Sequence, residues 1–96
     1  MLVLNFLYFG AGGLLVCLLY KKHKRMEEKE YLKKFGREVA SRRVNLDLSQ
    51  GSLACESGVN QSYLSEVERG KANPSLLYMK KLSAALGIEL WELLKF

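Results

Sequence analysis

The sequence predicts an all-α fold, and three observations predict it. Apolar residues recur at intervals of three and four through residues 31–96, beginning with Leu32, Phe35 and Val39; that spacing places side chains on one face of an α-helix. No stretch alternates apolar and polar residues in the manner of a half-buried strand. Gly, Asn, Ser and the single Pro fall between the periodic stretches, where the chain must turn. A length of 96 residues admits one small domain and an accessory segment, and no second folded domain.

Charge divides the chain before any helix is placed. The 15 basic and 10 acidic side chains all follow Tyr20, and the net charge of +5 splits into +4 over Lys21–Arg25, −2 over Glu27–Glu30 and +3 over Tyr31–Phe96. The uncharged Met1–Tyr20 is long enough, at about 1.5 Å per residue, to match a hydrocarbon core of about 30 Å. It predicts one transmembrane helix over 1–20. The basic run KKHKR that follows predicts, by the excess of positive charge, a single pass through the cell membrane with the C-terminal domain cytoplasmic. A cleaved signal peptide fits less well, because no Lys or Arg precedes the apolar stretch. Residues 21–30 then read as a charged helical spacer next to the membrane, with Lys21, Lys22, Lys24 and Arg25 placed to meet anionic head groups. Cys17 and Cys55 lie in different segments and form neither a metal-binding pair nor a disulfide framework.

The domain over 31–96 is expected to hold five helices. Leu32, Phe35 and Val39 mark the buried face of the first, which ends near Arg43 or Val44, ahead of the turn and cap formers Asn45, Asp47 and Ser49. Ser49 is placed to cap a second helix over Gln50 to Ser57. Gly58 suits the left-handed conformation at its end, Val59 serves as an apolar plug, and Asn60 caps a third helix over Gln61 to Arg69. Two helices joined by so short a turn make a helix-turn-helix. Gly70 ends the third helix and Asn73-Pro74 begins a turn. Leu76, Leu77, Met79, Leu82, Ala85 and Leu86 then mark a fourth helix that stops at Gly87. Ile88, Leu90, Trp91 and Leu94 fall in a last helical turn, where their spacing predicts that Trp91 is core.

Counted from Gln50, the small and apolar residues fall where two crossed helices need them. Ala54 is small at the crossing, Gly58 makes the turn, and Leu53, Val59, Leu64 and Val67 seal it against the first and fourth helices. With Phe35-Gly36 and Arg43 upstream, this run resembles the Cro/C1-type helix-turn-helix family of phage repressors and bacterial xenobiotic-response-element regulators. The resemblance covers about two-thirds of the chain and implies a five-helix, lambda-repressor-like domain. It implies, too, sequence-specific binding of double-stranded DNA by a transcriptional regulator, repressor-like, in a prokaryotic or phage setting.

In such domains the third helix enters the major groove and the start of the second touches the DNA backbone. Gln61, Ser62 and Glu66 are therefore the base-reading candidates: Gln61 suits adenine, Ser62 several bases, and Glu66 the cytosine amino group. Gln50 resembles the backbone-anchoring glutamine of the family, and Tyr63, Arg69 and Lys71 are placed to reach phosphates or pack beside them. Arg43 and Glu68 correspond to a structural ion pair that ties the first helix to the end of the third. The resemblance implies two half-sites and hence a homodimer, with Leu90, Trp91 and Leu94 as an apolar patch for a partner. Gly51 and Ser52 depart from the family by replacing residues that favour the helix; Gly51 costs about 1 kcal/mol of helix propensity.

The sequence does not read as an enzyme: it has no nucleophile with a base at catalytic spacing, no metal cluster and no phosphate loop, and it implies no cofactor and no metal. The alternative reading is a membrane-anchored protein-interaction module that keeps the helix-turn-helix as a scaffold without binding DNA, since fold alone does not fix function.

Overall fold

The computed structural model describes the backbone of residues 13–96 and the side-chain surroundings of residues 28–96. Five helices appear there in chain order: α1 (Gly13–Asn45), α2 (Gln50–Ser57), α3 (Gln61–Glu68), α4 (Leu76–Ala85) and α5 (Leu90–Leu93). The charged spacer and the first helix of the bundle are one unbroken α1 of 33 residues. Nothing in its sequence breaks it, because no proline interrupts the run and its charged residues are good helix formers.

The transmembrane helix expected over 1–20 is not among these elements. Its first twelve residues lie outside the described residues, and among the described residues no helix is long and apolar enough to cross a membrane.

Polar side chains start each of the next three helices. The Ser52 N–H donates to Ser49 Oγ at 3.0 Å, the Tyr63 N–H to Asn60 Oδ1 at 3.0 Å and the Tyr78 N–H to Ser75 Oγ at 3.1 Å, each satisfying a donor that the helix itself leaves free. Gly58 closes α2 at φ 70°, where its lack of a Cβ allows the Val59 N–H to reach the Ala54 carbonyl at 2.9 Å.

The core is contiguous. Phe35 and Val39 from α1, Leu53 and Ala54 from α2, Leu64 and Val67 from α3, Leu82 with Leu86 from α4 and its cap, and Leu93 from α5 are all buried. The chain end folds back on α1, where the Tyr31 and Phe96 rings meet edge to face at 4.9 Å.

Two sequence expectations of burial change. Trp91 is 62% exposed, with Lys95 Nζ 5.9 Å from its ring centre, while Leu93 fills the core position. The helix is a single turn, so one face of it meets the bundle and Trp91 lies on another. Leu76 and Leu77 are likewise 63% and 70% exposed, because α4 turns Leu82, Leu86 and, in part, Tyr78 and Met79 inward.

Candidate nucleic-acid interface

The end of α3 is fixed to the scaffold by close backbone contact. Gly36 of α1 lies so near the end of α3 that a Cβ there would stand 2.5 Å from the Glu68 carbonyl oxygen and 2.8 Å from its carbonyl carbon. Gly70, at φ 73°, approaches α1 one turn earlier, at Lys33. Only glycine lets α1 come this close to the end of α3 and to the turn behind it.

A charged network crosses the same junction. Arg43 Nε donates to Glu68 Oε2 at 2.8 Å and Arg43 Nη2 to Glu68 Oε1 at 3.0 Å, while Nη1 donates to the Leu48 carbonyl at 2.8 Å. The pair is bidentate, the geometry that makes Arg–carboxylate contacts strong. The side chains of Arg43 and Glu68 are only 15% and 6% exposed. The hydrogen bond to Glu68 holds the Arg43 guanidinium above its ordinary range, against the opposing effect of burial, and the Glu68 charge adds to it.

Gln50 belongs to this network as well. Its Nε2 donates to Glu68 Oε1 at 3.1 Å, which aims the first side chain of α2 and leaves the second amide hydrogen free for another acceptor. No acidic residue stands in the first turn of α2, so the helix end carries its partial positive charge unopposed by its own side chains.

The opposite side of α3 is open. Gln50, Gln61, Ser62, Ser65, Glu66 and Arg69 line one shallow groove. On a helix, Gln61, Ser65 and Arg69 succeed one another at intervals of four, with Ser62 and Glu66 beside them. The three base-reading candidates Gln61, Ser62 and Glu66 are all exposed there. Ser65 was not singled out by sequence, although its spacing from Gln61 could have found it.

The remaining candidates are placed less uniformly. Arg69 is exposed at the cap of α3, where its Nε donates to the Ser65 carbonyl at 3.3 Å, and Lys71 is exposed two residues on. Tyr63 is half-buried: its ring meets Tyr78 edge to face at 5.0 Å and its hydroxyl donates to the Asn73 carbonyl at 3.5 Å. It braces the turn after α3 as much as it faces outward. Tyr78, behind it, has a buried hydroxyl without a hydrogen-bond partner among the described residues. Burial, then the neighbouring Tyr63 and Glu68, pushes its ionisation up to about 12.

Comparison with known proteins bears on the family and the fold. Residues 39–93 match the helix-turn-helix family model. The transcriptional regulator SlrR of Bacillus subtilis (strain 168) is 49% identical over 59 residues, which are 60% of this chain and 39% of SlrR, so the chain spans about two-fifths of that relative. Among solved structures, the restriction-modification controller protein C.AhdI of Aeromonas hydrophila superposes with a TM-score of 0.64 at 47% identity, over 65% of this chain and 94% of that one. SinR, a master regulator for biofilm formation solved in complex with DNA, superposes with a TM-score of 0.61 at 35% identity, over 64% of this chain and 98% of that one.

Proposed function

The chain belongs to the helix-turn-helix family, and from that premise we propose that it is a sequence-specific DNA-binding transcriptional regulator, repressor-like, that reads the major groove with α3. One observation carries the reading. The exposed polar face of α3 opens into a groove with Gln50 and Arg69 at its margins, while the other face is locked to α1 through Glu68 and Gly36. A helix held rigidly from behind and polar in front is what major-groove reading requires.

In this reading Gln61, Ser62 and Glu66 contact base edges, and Gln50, Tyr63, Arg69 and Lys71 contact the sugar-phosphate backbone. Arg43 and Glu68 hold the scaffold. Two copies bind two half-sites, and the exposed Trp91, with Leu90 and Leu94 beside it, offers the apolar patch for the second copy.

Anchoring to the cell membrane, with the DNA-binding domain on the cytoplasmic side, is a separate part of the proposal. It rests on the sequence of Met1–Tyr20 and the basic run behind it. Retention in the membrane fraction after alkaline extraction is the expected result, and release into the supernatant refutes this part alone.

The DNA reading is tested by titrating the full-length chain, in neutral detergent, against labelled duplexes. Binding should weaken steeply as salt rises. Joint replacement of Gln61, Ser62 and Glu66 by Ala should abolish the preference for selected sequences, and an unchanged preference refutes the assignment of α3.

A further inference from the structure

The family match begins at residue 39, and the segment of α1 ahead of it carries a basic feature that the helix-turn-helix does not account for. Lys29, Lys33 and Arg37 follow one another at intervals of four, and all three are exposed. That spacing lines them along one side of α1, each about 6 Å beyond the last.

Lys33 is also the point where α1 meets the turn that closes α3. Gly70 packs so tightly that a Cβ on it would lie 2.8 Å from Lys33 Cγ and 2.9 Å from Lys33 Cα. Gly70 stands between exposed Arg69 and Lys71, and Arg69 lines the groove of α3. Basic side chains therefore succeed one another from Arg69 at the margin of the groove, through Lys71 in the turn, to Lys33 on α1, with Glu66 the carboxylate in the groove lining. Of the neighbouring carboxylates, Glu38 is held by Arg42 at 2.8 Å and Glu28 lies about 100° from Lys29 on the far side, while Glu30, three residues before Lys33, lies on the flank of the stripe and offsets part of its charge.

We propose that Lys29, Lys33 and Arg37 form a second DNA-backbone contact, holding phosphates of the same duplex just outside the bases that α3 reads. The inference rests on the DNA-binding reading above. Charge complementarity and continuity with the groove name the occupant. The three cations span about 12 Å, a length over which one DNA strand carries three to four phosphates at one per ~3.4 Å. Lys33, next to the turn, is the contact nearest the groove, and Lys29 and Arg37 extend it along the helix.

The test compares the salt dependence of binding for the full-length chain and its K29Q/K33Q/R37Q variant on a mixed-sequence duplex of about 40 base pairs. Each phosphate neutralised contributes about 0.9 to the slope of log affinity against log salt. Loss of all three contacts lowers the slope by about 2.7, so a rise from about 50 to about 200 mM salt weakens the unaltered chain about 40-fold more than the variant. A matched variant, K80Q/K81Q/K95Q, removes the same charge from α4 and the C-terminal end and should leave the slope as it was. A stripe variant whose slope falls by less than about 0.9, one contact, overturns the proposal, and so does an equal fall in the matched variant. All six side chains are exposed, and helicity of both variants by circular dichroism verifies the fold. If the unaltered chain shows no salt-sensitive binding, the DNA-binding reading itself fails; if it binds and only the slope test fails, that reading stands without this extension.

Discussion

Replacing Gly36 by Ala and replacing Gly51 by Ala are the same chemical change in two helices, and the structure requires them to have opposite signs. Ala is favoured over Gly in a helix interior by about 1 kcal/mol, so propensity alone stabilises both. At Gly36 the new methyl meets backbone: it would stand 2.5 Å from the Glu68 carbonyl oxygen and 2.8 Å from the carbon behind it. Neither atom can rotate away. Relief requires α1 to move off the end of α3, which stretches the Arg43–Glu68 contacts and opens the core at Phe35 and Val39. Overpacking of this kind costs about 1 to 3 kcal/mol, and an immovable backbone neighbour puts it at the upper end. Net of the propensity gain, Gly36→Ala loses about 2 kcal/mol. For a domain of this size that lowers Tm by roughly 8 to 16 °C. At Gly51 the nearest atom to a new Cβ is the Gln61 side-chain oxygen at 3.4 Å, the far end of a flexible side chain. Gly51→Ala therefore gains up to about 1 kcal/mol and raises Tm. Thermal unfolding followed by circular dichroism measures both. A Gly36→Ala variant as stable as the unaltered chain refutes the close-contact argument, whatever Gly51→Ala does.

Three further outcomes follow from the same junction and its surroundings. Arg43→Met strands the nearly dry Glu68 carboxylate with Gln50 as its remaining side-chain partner, costing about 3 kcal/mol in denaturant unfolding; Arg43→Met combined with Glu68→Leu should recover much of that loss. Ser49→Ala removes the cap of α2 and should cost about 1 kcal/mol by the same measurement. Tyr78→Phe deletes a buried hydroxyl that has no partner among the described residues, so it should be neutral or stabilising near pH 8. Its pH profile carries a sign: the unfolded tyrosine ionises near 10 and the folded one near 12. Between these values the unfolded chain binds fewer protons, so stability falls as pH rises through that window. The Phe variant should lose this part of the decline, and a decline of equal depth in both proteins would contradict the burial of the hydroxyl.

The residues that act locally were legible in the sequence. Ser49, Asn60 and Gly58 announce helix ends because a cap or a left-handed turn depends on the residue itself and a few neighbours. The bounds of α2 and the start of α3 accordingly fall where the caps place them. What the sequence hid depends on which faces meet after folding. Trp91 has the helical spacing of a core residue, yet a single-turn helix buries one face and Leu93 occupies it. Gln50 looks like a free phosphate anchor until the bundle brings Glu68 to its amide. The approach of Lys33 to Gly70 spans 37 positions and leaves no periodic trace. The continuity of α1 through the charged stretch was half visible, in helix-forming residues without a breaker.

Within its eight residues α3 separates two kinds of work by face and by end. Leu64 and Val67 are buried in the core and Glu68 carries the network to α1 and α2, so change at any of them disturbs packing or strands a charge. Gln61, Ser62 and Glu66 lie exposed on the groove side and make no core contact. Substitutions at such surface positions usually shift stability by no more than about 0.5 kcal/mol, while one good base contact is worth about 1 to 3 kcal/mol of discrimination. On the proposed DNA reading, the recognised sequence can therefore be rewritten at three positions with almost no consequence for the fold, because the helix is positioned from its far end. That separation also sets what a binding experiment means here. If the proposed reading holds, a stably folded variant at Gln61, Ser62 or Glu66 that loses its target has lost contacts at the interface, whereas the same loss after a change at Glu68 reports on the scaffold.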